Sequence, residues 1–172
     1  MSDETTAGTT PSGAEVPLRS VRIIGMPVAL QLRAEQQNDE LVREFQLIAQ
    51  GQSRDGQHTE LPKRLLQLVE QLSGQYGPFT TEQEQQLADA HAAGRASIDM
   101  TYQLPESVAE GARALGGMLD EADQFCRDGQ YLLTLAAPPD LVAFRTWFLS
   151  EIIDHMAGKP PTSWADWERA HR

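Results

Sequence analysis

The feature that most constrains this chain is an apolar seam running from Val108 to Cys126. Val108, Ala112, Leu115, Leu119, Ala122 and Cys126 recur at steps of four, three, four, three and four. That spacing lines side chains along one face of an α-helix. Such a stripe has to be buried, so the helix predicted over 105–128 requires a partner layer. Gly116 and Gly117 interrupt it, each at a cost of roughly 1 kcal/mol relative to Ala. Their presence predicts a close approach of a neighbouring element at that point.

Short β-branched segments supply a sheet. Val21-Arg22-Ile23-Ile24-Gly25 predicts a first strand. Residues 97–104 predict a second, with Ile98, Met100, Tyr102 and Leu104 alternating against polar neighbours. Residues 131–135 predict a third. After Pro27 the pattern is ambiguous, because Val28, Leu30 and Leu32 alternate whereas Leu41, Phe45 and Ile48 follow helical spacing; the expectation is a helix over at least 34–50. Pro62 opens another helix with Leu65, Leu68, Val69 and Leu72 as its stripe, and Gly74, Gly77 and Pro78 end it. Thr81 and Glu84 have capping-box spacing for a surface helix over about 81–93. Pro138 and Pro139 open a last helix to about Ala157, stopped by Gly158-Lys159-Pro160-Pro161.

Three times a short apolar strand runs into proline and then a helix, near Pro27, Pro105 and Pro139. The regularity reads either as a duplicated strand–helix unit or as the ordinary preference for proline in a first helical turn. Either way the expected fold class is helix-rich α+β: a small three-stranded sheet covered by two long helices, with peripheral helices around it. Residues 1–19 are rich in Thr, Ser, Gly and Pro and too poor in large apolar groups to offset ordering entropy. They predict a disordered tail. A single domain over 20–157 follows, and residues 158–172 are expected to dock on it.

Charge narrows the function classes. The net charge is −11, and residues 105–157 hold nine acids against three arginines. Without a basic cluster, nucleic acid and anionic membrane are disfavoured as partners. No apolar run reaches the roughly 18 to 20 residues of a membrane span, and the N-terminus lacks the pattern of a secretory signal. The single Cys126 fits a reducing compartment, so the expected location is the cytoplasm.

Chemical motifs are sparse. His155 lies one turn after Glu151, but one His and one Glu are too few for zinc. Cys126 falls within the apolar seam and reads as a small hydrophobe rather than a nucleophile. Gly51 and Gly56 have phosphate-loop spacing, but Gln57 and His58 stand where Lys and Ser/Thr are needed. Asp120, Glu121 and Asp123 cluster with Asp128, without the order of a calcium loop, and read as a solvated face. No catalytic, metal-binding or cofactor-binding residue emerges, and no cofactor is expected. Large aromatics remain: Trp147, Trp164 and Trp167 form the candidate interaction surface, with Trp164 also expected to anchor the tail on its own domain.

Several ordered stretches carry a resemblance. They are Val21-Arg22-Ile23-Ile24-Gly25-Met26-Pro27, Asp39 to Phe45, Asp99-Met100-Thr101-Tyr102, Asp120 to Arg127, Tyr131 to Pro138, and Phe144-Arg145-Thr146-Trp147. Together, over about residues 20–164, they resemble a group of small bacterial proteins associated with partner-switching signalling modules. Those modules combine an anti-sigma kinase, a phosphorylatable antagonist and a serine phosphatase. The resemblance implies a non-catalytic regulatory or protein-interaction component with a protein partner, and it transfers no site residue. Glu40-Leu41-Val42 echoes the kinase motif, but Glu44 and Phe45 replace its Asn and Ala. A homodimer is compatible with this reading. The alternatives are a small-molecule sensor with an apolar pocket beside the sheet, or an enzyme whose groups converge only in three dimensions.

Overall fold

The computed structural model describes residues 17–50, 60–128 and 136–172. Strand β1 (Leu18–Pro27) pairs antiparallel with β2 (Ser97–Pro105), from Leu18 opposite Pro105 to Pro27 opposite Ser97. Among the described residues the sheet has these two strands. The third strand expected over 131–135 lies outside them, as does most of the tail expected over 1–19. The last two residues of that tail, Leu18 and Arg19, belong to β1 instead, where the ladder to β2 supplies their backbone partners.

The register shifts between Ile23 and Met26. Gly25 there adopts φ +65°, and its N–H donates to Asp99 Oδ1 at 2.7 Å. The left-handed backbone needs glycine, and the carboxylate takes a donor the ladder cannot pair. Beyond the bulge Pro27 ends the strand and helix α1 (Val28–Gln50) begins at once, with Val28 N–H donating to Ala96 O at 3.1 Å. The helix starts at Val28 and contains the span expected over at least 34–50. The alternation of Val28, Leu30 and Leu32 misleads because Val28 is buried while Leu30 and Leu32 pack on the core only in part.

Helix α2 (Glu60–Tyr76) precedes a 3₁₀ turn at Gly77–Phe79, and α3 (Thr81–Ala92) then lies beside β2. The cap of α3 is Thr80, one residue before the expected Thr81; its hydroxyl contacts Glu84 Oε1 at 3.1 Å and Gly77 O at 3.0 Å. Helix α4 (Val108–Arg127) follows β2, with Pro105 still in the strand opposite Leu18. Helix α5 (Pro139–Met156) lies across β1, and a short α6 (Trp164–Ala170) returns to the same strand. No helix among the described residues is long and apolar enough to cross a membrane.

Two apolar clusters organise the molecule. The first joins the inner sheet face (Val21, Ile23, Met100, Tyr102) to Phe144 and Trp147 of α5. The second joins Leu41 and Phe45 of α1, Leu65 of α2, and Leu119 and Ala122 of α4. The α4 seam bridges them, with Val108 and Ala112 in the first and Leu119 and Ala122 in the second. The picture of two long helices lying on the sheet therefore needs correction. Helix α5 covers β1, whereas α4 packs chiefly on α5 and α2, because the lower half of its stripe meets the second cluster. The glycine expectation also changes. Gly117 faces open space and Gly116 approaches Leu149, while the tightest approach is at Gly111, where a Cβ would stand 2.8 Å from Leu72 Cδ2.

Candidate functional site

The alternation in β2 turns Met100, Tyr102 and Leu104 inward, and α3 presents Gln83, Leu87 and Ala90 towards that strand. Between them lies a cavity of about 260 Å³. Its apolar floor comprises Leu87, Met100, Tyr102, Phe148 and Ile152, with Tyr76 and Val108 contributing to the wall. The rings of Tyr102 and Phe148 meet edge to face with centroids 6.3 Å apart. Polar groups gather at the rim: Gln31 and Glu35 from α1, and Thr80 and Glu84 at the start of α3.

The rim carboxylates are each steadied through one oxygen. Gln31 Nε2 donates to Glu35 Oε1 at 2.7 Å, and the Thr80 hydroxyl donates to Glu84 Oε1 at 3.1 Å. Neither has a basic partner among the described residues, and no Lys, Arg or His lines the cavity. Burial pushes the Tyr102 phenol well above its ordinary value, and the charges of Glu35 and Glu84 push it further the same way. Both carboxylates thus act electrically on the cavity floor. Gln83 is buried and its Nε2 donates to Thr101 O at 2.5 Å, but its Oε1 is a buried acceptor without a partner. Such a group costs about 1 to 3 kcal/mol until something donates to it.

A second cavity, of about 220 Å³, lies between α1, α2 and α4. It is lined chiefly by aliphatic groups such as Leu41, Leu65, Val69 and Leu115, with polar residues Asn38, Asp39 and Ser73 at one side. Aliphatic packing defects of this kind are ordinary at helix junctions, and no unpaired buried group marks it.

The residues singled out from sequence fall elsewhere. Trp147 is fully buried, its indole N–H donating to Thr162 O at 3.0 Å, so it presents no accessible surface. Trp164 packs against Phe144 and Trp147 with centroids 5.8 and 5.5 Å away. Trp167 stacks on Trp164 and on His171, and both tryptophans of α6 keep partial exposure. The rings of Trp164, Trp167 and His171 form an aromatic stack seated on α5.

Glu151 and His155 hold structure together. Glu151 is buried and accepts from Thr162 N–H at 2.8 Å, while His155 Nε2 accepts from Arg22 N–H at 3.3 Å and Nδ1 lies 3.0 Å from Glu151 O. The acidic cluster on α4 is split. Asp120 and Glu121 are exposed, but Asp123 is buried, contrary to the expected solvated face; Arg145 and the Ala137 N–H hold it at 2.9 Å each. Among the described residues no group of three acidic, His or Cys side chains is placed to hold a metal. Burial pushes the Cys126 thiol up to about 11, with Asp123 and Glu44 adding to the effect, so it carries no thiolate near neutral pH.

Compared with family models, curated proteins and solved structures, the chain matches none.

The cavity residues carry little signal in the sequence. One signal was available: Gln83 stands on the stripe of Leu87 and Ala90, at steps of four and three, where an apolar residue belongs.

Proposed function

We propose that this domain is a non-catalytic regulatory module that binds a small molecule in the cavity between β2 and α3. The observation that carries the reading is the cavity's combination of an apolar floor with a polar rim, beside which Gln83 keeps a buried, unpaired Oε1. Ligand sites have that composition, with a few placed polar groups setting orientation. A volume of about 260 Å³ falls just below the roughly 300 to 1,000 Å³ of drug-sized ligand sites, so the ligand is small. The lining holds no His, Cys, Ser or Lys, and the Thr80 hydroxyl is engaged by Gly77 O and Glu84. Without a nucleophile paired to a base in the lining, the composition favours recognition over covalent catalysis. The test is a fragment screen by protein-observed NMR. Shifts concentrated on the Met100 methyl group and the Leu87 and Ile152 side chains support the reading, and hits confined to other surfaces overturn it.

A protein partner in the cytoplasm, as in the partner-switching setting, is a second and compatible part of the proposal. It is supported by the stacked Trp164, Trp167 and His171 on α6, which remain partly exposed or exposed. The acidic balance of the chain weighs against nucleic acid. Affinity capture from cells with wild type and Trp167→Ala tests it: a specific partner lost in the variant supports this surface, and equal capture removes it.

A further inference from the structure

The charge and shape of the cavity narrow the ligand further, an inference that rests on the ligand-binding reading above. We propose that the ligand is a small organic monocation, an ammonium group carried on an apolar body about the size of one substituted ring.

Size comes first. A cavity of roughly 150 Å³ holds benzene, so about 260 Å³ accommodates a ring with a short substituent. Tyr102, Phe148, Leu87 and Ile152 offer that body aromatic and aliphatic contact. The sign of the charge comes from the rim. Glu35 and Glu84 approach from two different helices, each with one oxygen held by a neutral neighbour and the other free of any basic partner among the described residues. Two unneutralised carboxylates at the mouth of a low-dielectric cleft repel an anion and attract a cation. The inner wall agrees with a donor. Gln83 lines the cavity, and its buried Oε1 is an acceptor that lacks a hydrogen, which an ammonium group supplies once the side chain turns towards it. Tyr76 and Tyr102 line the cavity, and aromatic rings attract such a group. A bare metal ion fits poorly, because the cavity floor is apolar and offers no second acidic or imidazole ligand set.

The experiment is calorimetric titration of the full chain, at low salt, with three probes of matched shape: phenethylammonium, neutral 2-phenylethanol and anionic 3-phenylpropionate. The expected order is ammonium, then alcohol, then acid, with the ammonium roughly tenfold tighter than the alcohol, as two rim ion pairs allow. The Glu35→Gln, Glu84→Gln double variant should erase most of that preference. Glu121→Gln should not, since Glu121 lies roughly 20 Å along α4 from Val108 and controls for general attraction to the acidic chain. Alcohol binding as tightly as ammonium overturns the cation assignment and leaves the cavity reading intact. An ammonium preference unchanged in the double variant overturns the role of the rim carboxylates and with it this inference. Failure of all three probes to bind removes both the inference and the ligand-binding reading.

Discussion

The Asp123 carboxylate accepts the Ala137 N–H on one oxygen and the Arg145 guanidinium on the other, while Arg145 also reaches the exposed Asp120 at 2.7 Å. The two aspartates differ in what their loss leaves behind. Asp123→Ala leaves the part-buried Ala137 N–H without its acceptor and the largely buried Arg145 with only the exposed Asp120, and should cost about 2 to 3 kcal/mol in denaturant titration. Asp120→Ala removes an exposed partner and should cost less than about 1 kcal/mol. Glu151 behaves differently. Burial raises its carboxyl above the ordinary 4.5, with the Thr162 N–H and His155 opposing. A raised acid binds more protons folded than unfolded, so its contribution is favourable at low pH and is lost as pH rises through the folded value. Glu151→Gln keeps an acceptor for Thr162 and never ionises. Thermal melts should place the two proteins together below pH 4.5 and the variant increasingly ahead above it, by about 2 to 4 °C for each kcal/mol of relieved desolvation. A variant that falls behind at neutral pH contradicts this account.

At the scale of elements, α4 carries a test of helix packing. Gly117 meets nothing within 4 Å, so Gly117→Ala should stabilise by about 0.5 to 1 kcal/mol through helix propensity alone. At Gly111 the same gain is opposed by contact with Leu72 Cδ2 at 2.8 Å and Tyr76 Cε2 at 3.2 Å. Leu72 Cδ2 is the free end of a half-buried side chain and can shift, so Gly111→Ala should lie below Gly117→Ala in the same titration by about 0.5 to 1 kcal/mol. Element type was largely legible in the sequence. The α4 seam and the alternation of Ile98, Met100, Tyr102 and Leu104 are periodic signals, and they became a helix and a strand. Some boundaries, such as those of β2 and α5, were legible, and others were not. Val28 starts a helix because the bulge at Gly25 and the bond to Ala96 turn the chain there, and that long-range pairing leaves no local trace. The cavity was also illegible apart from Gln83. Glu35 and Glu84 sit on helices whose exposed faces are full of carboxylates and glutamines. Nothing in their neighbours marks the two that share a cleft.

For the whole molecule, the decisive contacts join distant parts of the chain. Trp164 packs on Phe144 and Trp147 of α5, and α5 and α6 both lie against β1. Trp164→Ala should therefore lower stability of the entire domain by about 2 kcal/mol, half the loss of a fully buried aromatic. A loss of helicity confined to α6, with the main unfolding transition unmoved, would count against that coupling.

The seating of α5 and α6 on β1 also sets an order of events during synthesis. β1 leaves the ribosome first, but its pairing strand arrives some 70 residues later and its covering helices later still. Val21, Ile23 and Met26, fully buried in the folded domain, lack those covering elements until β2 and α5 have followed. Closure therefore waits for β2 and α5, and any chain halted before α5 carries an open apolar strand for chaperones or proteases to find.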